Sequence, residues 1–186
     1  MSTIDQSVIN FFAANRVEWL TFVMLTVTYL GNTFMVAFLT FISAISFYFH
    51  KHYTRILPLL ISVAGSTITI YLLKKIINRP RPAEIMYPEF SSSFPSFHAA
   101  AAIALYGFFL YIIWKHDKHY LKKPFMAFLF ILIFLEGLSR LYLGEHYLSD
   151  VLAGYAIGLI WLFISAKLHN FLLRFEWFKT KLKNNF

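Results

Sequence analysis

Ionisable side chains that could act on an anion lie between residues 74 and 150 of this 186-residue chain. His146 and Asp150 are four residues apart, so on a helix they would share one face. The carboxylate can then hold one nitrogen of the imidazole ring and leave the other free to attack an electrophile. His98 is predicted near a helix N-terminus, where it could donate a proton to a leaving group. This spacing predicts nucleophilic catalysis with a second histidine as general acid.

Cations and a helix end accompany these histidines and indicate that the electrophile is a phosphate. Guanidinium groups bind phosphate oxygens in pairs, and several cations together neutralise the charge of phosphoryl transfer. Backbone N–H groups at the predicted helix start add an anion-binding end. We expect the phosphate to be bound by Lys74, Arg81, Ser96, Phe97 and Arg140. Because the cations could do the work of a metal ion, we expect no metal and no other cofactor.

The same residues form three motifs in a fixed order. They read Lys74-(six residues)-Arg81-Pro82, then Pro95-Ser96-Phe97-His98, then Ser139-Arg140-(five residues)-His146-(three residues)-Asp150. This order and spacing resemble the type 2 phosphatidic acid phosphatase (PAP2) superfamily, which also includes vanadium haloperoxidases. In its size and predicted number of spans the chain looks most like the membrane branch, and within it like the bacterial phosphatases of phosphatidylglycerophosphate and undecaprenyl pyrophosphate.

The resemblance implies an enzyme that hydrolyses a phosphomonoester or pyrophosphate of a membrane lipid: phosphatidylglycerophosphate, phosphatidic acid or undecaprenyl pyrophosphate. It implies that His146 forms a phosphohistidine, that Asp150 aligns it, and that His98 protonates the departing oxygen and later activates water. Supporting roles are expected for Pro82 and Ser139, which belong to the motifs. From spacing alone, Glu136 is expected to hold the guanidinium group four residues further along.

Position 97 departs from the family pattern, which has glycine between the serine and the histidine of the second motif. Phe97 keeps the backbone N–H but adds a ring beside the phosphate, so it could crowd the site or block the lipid. Two alternatives to a working phosphatase stay open. One is a catalytically impaired relative, and the other is a lipid or anion transporter that uses the same cations for binding.

Other polar residues have plainer interpretations. Without the remaining motifs, His146 and Asp150 could be a buried polar pair or part of a proton relay. Lys75 is predicted to extend its ammonium group towards the membrane surface, Arg79 to be a supporting surface charge, and residues 91–93, all serines, to be loop residues without a catalytic role. Solvated positions are predicted for His50, His52, His116 and His119.

Composition places these residues in a membrane protein. Hydrophobic residues make up 59% of the chain and charged residues 14%, whereas soluble domains carry about 25% charged residues. The net charge of +8 comes from basic residues that flank apolar segments, a pattern typical of membrane proteins rather than of a nucleic-acid groove. The absence of cysteine excludes disulfides, thiol nucleophiles and thiolate metal sites.

Apolar segments of near membrane-spanning length predict an all-α bundle of six transmembrane helices in one domain, residues 1–186. The predicted spans are residues 17–30, 33–49, 56–77, 96–114, 124–138 and 146–168. Interfacial segments are predicted over residues 4–14, as an amphipathic helix, and over residues 169–186.

Six spans would put both termini on one side of the membrane. That side would carry most of the 17 basic residues, so the positive-inside rule makes it cytoplasmic. The site would then lie at the extracytoplasmic face of a bacterial cell membrane, where a lipid could approach sideways and water could enter from outside. The expected partners are the lipid phosphate and the bilayer, with no nucleic acid and no obligatory protein partner.

Overall fold

The computed structural model describes residues 2–87, 89–116 and 120–183, and the regular elements in these ranges are helices. They are α1 (Thr3–Ala14), α2 (Glu18–Leu30), α3 (Thr33–Phe49), α4 (Ile56–Ile77), α5 (Phe97–Ala102), α6 (Phe108–His116), α7 (Lys122–Tyr142) and α8 (Leu148–Lys183). A 3-10 turn at Tyr53–Arg55 precedes α4, and a π-helical turn at Ile103–Gly107 joins α5 to α6. The prediction of an all-α membrane protein is confirmed.

Four helical segments are long and apolar enough to cross a membrane: Tyr53–Ile77, Phe97–His116, Lys122–Tyr142 and Leu148–Glu176. Helices α2 and α3 are each shorter than the roughly 20 residues that a span needs, but together they could form one more. They meet at a 47° bend, where the Asn32 side chain accepts a hydrogen bond from the backbone N–H of Met35 at 2.8 Å. The described residues thus provide four spans, or five with the bent pair, and the predicted count of six is not confirmed.

The N-terminal helix lies at the end of the bundle that carries the predicted site, which corrects the expected topology. Asp5 of α1 accepts a hydrogen bond from the backbone N–H of Ser149, at the start of α8. The far end of α3 reaches the opposite end of the bundle, where the Phe47 ring contacts the guanidinium group of Arg55 before α4 begins. The two ends of the bent α2–α3 pair therefore lie at opposite ends of the bundle. The predicted placement of both termini on one side is not confirmed.

Close packing of α5 against α8 brings two of the predicted motifs together. Neither Gly154 nor Gly158 has room for a side chain, because Gly154 lies against the Ser96 carbonyl and Gly158 against the Ala100 carbonyl. Small residues four apart allow helix backbones to approach closely in membrane bundles. The backbone N–H of Ser96 also donates to the Asp150 carbonyl at 3.0 Å. The second and third motifs are therefore joined by backbone contacts.

Helix α8 continues unbroken to Lys183, so no break separates the predicted span from the interfacial segment predicted to begin at residue 169. His169 is fully buried, and its Nδ1 lies 3.0 Å from the hydroxyl of Tyr111 on α6. This polar contact keeps α8 packed beyond the predicted end of the span. His119 lies outside the described residues.

Candidate active site

His146 lies in the connection between α7 and α8, two residues before α8 begins. The connection turns at Gly144, whose φ of 72° favours glycine. Asp150 sits in the first turn of α8, and its Oδ2 accepts a hydrogen bond from the backbone N–H of Tyr147 at 2.9 Å. This oxygen is 3.6 Å from Nδ1 of His146, slightly beyond hydrogen-bonding distance. The predicted pair is brought together, but across a helix start rather than along one helical face.

His98 lies in the first turn of α5, as predicted, and lines the same cavity as His146. This cavity has a volume of about 310 Å³ and also contains Phe97, whose ring stands edge-on to that of His98 at 6.0 Å between centroids. The charged part of its lining comprises Lys74, Arg81, Glu89 and Arg140, and Ile70 and Tyr71 of α4 form an apolar wall. We call this space the catalytic cavity.

Hydrogen bonds and an ion pair hold the guanidinium group of Arg81 in one orientation at the catalytic cavity. Its Nε donates to the Ser91 carbonyl and one terminal nitrogen to the Glu145 carbonyl, both at 2.8 Å. The other terminal nitrogen pairs with the Glu89 carboxylate at 3.3 Å. Burial lowers the pKa of Arg81, which the charge of Glu89 opposes. The guanidinium group therefore remains a cation whose direction is fixed before any phosphate binds.

The three serines are loop residues before α5, as predicted, and they also contact site residues, which the sequence did not predict. The Ser91 hydroxyl accepts a hydrogen bond from Arg81 at 2.9 Å, and the Ser92 carbonyl accepts one from the ammonium group of Lys74. The Ser93 hydroxyl donates to Oδ2 of Asp150 at 2.5 Å. This loop therefore orients two cations of the catalytic cavity and the carboxylate next to His146.

Arg140 is paired with Glu145, not with Glu136 as expected. One terminal nitrogen of Arg140 contacts the Glu145 carboxylate, and the other donates to the Thr28 hydroxyl at 2.5 Å. The carboxylate of Glu136 points towards Gly31 and forms no ion pair with Arg140. Glu145 takes this place because the connection after α7 folds back over the helix end, where the backbone N–H of Glu145 donates to the Arg140 carbonyl.

Three of the predicted residues lie behind the cavity wall. Ser96 is fully buried, and its hydroxyl has no hydrogen-bond partner among the described atoms. The Ser139 hydroxyl donates to the Glu136 carbonyl at 2.7 Å, and Pro82 is buried. From the second motif, it is Phe97 and His98 that line the catalytic cavity.

The electrostatic environment of His146 favours its neutral form. Burial lowers the pKa of this imidazole well below the ordinary histidine value; the contact with Asp150 opposes the shift. The positive charges of Arg140, Arg81 and Lys74 add to it. A neutral imidazole keeps a lone pair at pH 7, as a nucleophile requires.

A second opening of about 400 Å³ reaches the site from the other side. It shares Glu89, His98 and Arg140 with the catalytic cavity. The rest of its lining comes from α2 and the neighbouring loops and consists of Leu25 and residues with polar groups, among them Tyr29 and Asn32. A groove of about 660 Å³ is almost wholly apolar and lies between α6, α7 and α8, away from these ionisable groups. Within the described ranges, no group of three or more His, Cys, Asp or Glu residues is placed to hold a metal ion.

Comparison with known proteins places this geometry in a family. A family model described as "PAP2 superfamily" matches residues 55–174. Phosphatidylglycerophosphatase B of Bacillus subtilis (strain 168) is 31% identical over 169 residues, which are 88% of this chain and 82% of that protein.

Two solved structures are similar to the whole fold. One is a transmembrane PAP2-type phosphatidylglycerolphosphate phosphatase from Bacillus subtilis, with 30% identity, a TM-score of 0.79, and coverage of 89% of this chain and 84% of that one. The other is LpxE of Aquifex aeolicus, with 26% identity, a TM-score of 0.70, and coverage of 90% and 99%.

Proposed function

Because the chain belongs to the PAP2 superfamily and is a PAP2-type lipid phosphate phosphatase, we propose that it dephosphorylates phosphatidylglycerophosphate or a lipid phosphate like it. One observation carries the proposal: two histidines and three cations meet in one cavity, which also has apolar lining from Ile70, Tyr71 and Phe97. The name of the Bacillus subtilis relative supports the choice of lipid.

In the proposed complex, the phosphate lies among Lys74, Arg81 and Arg140. The lipid portion extends past Ile70, which is buried, and along Tyr71, which is exposed on α4. The cations neutralise the equatorial phosphate oxygens, the main requirement of phosphoryl transfer. A water-soluble phosphate has no hydrocarbon to bury against Ile70 and Tyr71, so it should bind more weakly than a lipid phosphate.

The reaction proceeds in two displacements. The neutral ring of His146 attacks phosphorus, the new N–P bond replaces the P–O bond to the lipid, and His98 gives its proton to the departing oxygen. Water then attacks the phosphohistidine, His98 takes a proton from that water, and inorganic phosphate leaves as the N–P bond breaks. Asp150 stabilises the positive charge that His146 carries in the intermediate.

The second opening gives water a separate path. His98 lines both the catalytic cavity and the second opening. The residue that first gives and later takes a proton therefore faces the substrate in one space and water in the other. Water can therefore reach the phosphohistidine without passing the lipid. Phe97 lines the catalytic cavity but is not part of the described lining of the second opening. In this proposal its ring therefore restricts the space beside the phosphate without closing the path of water.

We place the site at the extracytoplasmic face of a bacterial cell membrane. With α1 at the same end as the site, Arg16 alone among the basic residues that the structure describes changes sides relative to the six-span prediction. The opposite end keeps most of the basic residues, so the positive-inside rule still makes that end cytoplasmic. The orientation is tested by asking from which side a membrane-impermeant reagent reaches a cysteine placed at Tyr87, which is exposed beside the site.

The activity is tested by phosphate release from phosphatidylglycerophosphate, phosphatidic acid and undecaprenyl pyrophosphate in mixed micelles. We expect release to be fastest from phosphatidylglycerophosphate and to be abolished by His146→Ala. His50→Ala is the matched control, because this exposed histidine lies at the other end of the bundle and should leave the rate unchanged. Undiminished release by His146→Ala would reject the mechanism, and faster release from another lipid would reject the proposed substrate.

A further inference from the structure

Arg79 is not the surface charge that the sequence predicts, because its guanidinium group bridges two buried carboxylates. One terminal nitrogen is 2.6 Å from Oδ1 of Asp150, and the other is 2.9 Å from Oδ2 of Asp5. The guanidinium group also lies over the ring of Tyr147, 4.0 Å from its centroid. Burial would lower the pKa of Arg79, but the hydrogen bond to Asp5 and the charge of Asp150 raise it. Arg79 is therefore a fixed cation behind the nucleophile's carboxylate.

Asp5 connects this bridge to the N-terminal helix. Its side chain is 3% exposed, and it accepts hydrogen bonds from the backbone N–H of Ser149 at 3.0 Å and from the Ser149 hydroxyl at 2.8 Å. Burial alone would raise the pKa of Asp5, but these bonds and Arg79 lower it, so the carboxylate is ionised at pH 7. Helix α1 is thereby seated on the first turn of α8, next to Asp150.

We propose that Asp5 and Arg79 are positioning residues that orient Asp150, and through it His146, so that the site is complete only with α1 seated. Arg79 holds Oδ1 of Asp150, which leaves Oδ2 directed at His146 together with its bonds from Ser93 and from the backbone of Tyr147. Asp5 holds the opposite side of the guanidinium group. An interfacial helix thus contributes to catalysis without touching the substrate.

The bridge explains why arginine is required at position 79. A guanidinium group presents donors in two directions in one plane, so it can contact both carboxylates at once, and the ammonium group of lysine cannot reproduce this geometry. Removing Arg79 would leave two buried carboxylates without their shared cation, and Asp150 would be free to turn away from His146. At metal sites, loss of a partner that orients a metal ligand costs about 10–100-fold in metal affinity or activity, and we expect a loss of the same size here.

The test is steady-state phosphate release by Arg79→Ala, Arg79→Lys and Asp5→Asn, with Lys75→Ala as control. Lys75 is an exposed cation that lies over the ring of Tyr71, outside the bridge. We expect kcat to fall about 10–100-fold in Arg79→Ala and about fivefold in Asp5→Asn, the equivalent of one buried hydrogen bond. KM should stay within about twofold of wild type, because neither residue lies at the cavity where phosphate binds.

Chemical rescue separates a positioning role from a purely structural one. The side chain of Arg79 is 21% exposed, so a guanidinium ion can enter the space left in Arg79→Ala. Guanidinium at non-denaturing concentration should restore part of kcat, and urea, which has the same shape without the charge, should not. Equal rescue by both, or a loss in KM alone, would overturn the proposal.

The positioning role rests on the proposed phosphatase activity, so the experiment must tell failure of the one from failure of the other. If Arg79→Ala does not fold, Arg79→Lys and Asp5→Asn carry the test, and wild-type kcat in both overturns the proposal. If the wild-type protein releases phosphate and His146→Ala does not, while Arg79→Ala and Asp5→Asn match wild type, the positioning role alone has failed. If the wild-type protein releases no phosphate from any lipid, the proposed function itself has failed.

Discussion

The Glu89 carboxylate occupies the position at Arg81 where a substrate phosphate would bind, so removing its charge should tighten substrate binding. Glu89 lies 3.3 Å from a terminal nitrogen of Arg81 and lines both openings of the site. A phosphate must displace this carboxylate and also approach it as a like charge. Glu89→Gln relieves both effects, and the predicted change is therefore a lower KM with little change in kcat.

The size of this effect follows from the exposure of the ion pair. The side chain of Glu89 is 46% exposed, so the pair lies in the range of exposed ion pairs, about 0.2–1 kcal/mol. This range corresponds to a decrease in KM of roughly 1.5- to 5-fold. The effect should shrink as salt is added, because salt screens an exposed pair more than a buried one.

The assay is initial-rate phosphate release over a range of lipid mole fractions, at low and at high salt. Glu84→Gln is the matched control, since Glu84 belongs to the same loop and contacts Arg16 through its backbone carbonyl, which the substitution retains. We expect KM to fall for Glu89→Gln and to stay constant for Glu84→Gln. An unchanged or higher KM in Glu89→Gln would refute the view that Glu89 competes with the substrate for Arg81.

Three further predictions concern the fold and the nucleophile. Gly154→Ala should lower the melting temperature and activity, because the new methyl group meets the Ser96 carbonyl. Gly107→Ala should be tolerated, because its new methyl group meets the ends of the Leu162 and Ile103 side chains and no backbone atom; equal melting temperatures of the two variants would contradict this. Phe97→Gly should widen the range of lipid head groups accepted, measured with the lipid panel, and an unchanged preference would show that the ring does not restrict the site. Because the folded-state pKa of His146 is lowered, the unfolded chain takes up its proton first as the pH falls below 6.5. As the pH falls, wild type should therefore lose up to about 1.4 kcal/mol of unfolding free energy per pH unit relative to His146→Gln. If the unfolding free energies of both proteins change in parallel with pH, His146 is not a buried neutral histidine.

The residues with the strongest sequence signal are the ones that the fold brings together. His98, His146, Lys74, Arg81 and Arg140 meet at one cavity although they come from separate segments of the chain. Their spacing was informative because phosphate chemistry restricts which residue types can stand at each position. The apolar content likewise predicted a helical membrane protein, because a helix pairs its backbone N–H and C=O groups internally, as a segment in lipid must.

The contacts that orient these residues could not be read from spacing. Glu136 has the favourable spacing to Arg140, yet Glu145 reaches it because the connection between α7 and α8 folds back over the helix end. Arg79 and Ser93 stand in polar segments where nothing in the local sequence distinguishes a buried donor from a solvated one. Their partners, Asp150 and Asp5, are 57 to 74 residues away along the chain.

The predicted count of six spans is not confirmed for a similar reason. Residues 17–30 and 33–49 are both apolar, and a polar Gly31-Asn32 turn between them predicts two antiparallel spans. The structure instead uses that turn for a 47° bend, which Asn32 caps at the start of α3. A short turn between apolar segments is compatible with a hairpin or with a bend, and here the contacts of α1 and α2 with the ends of α7 and α8 decide between them.

The central claim, that His146 carries the phosphoryl group, is tested most directly by trapping the intermediate. The protein is mixed with a lipid substrate labelled in its terminal phosphate, quenched within the first turnovers, and digested for peptide mapping. The account predicts a label that is stable in base and labile in acid, that maps to His146, and that is absent from His146→Ala. A label on another residue, or full turnover by His146→Ala, would contradict it.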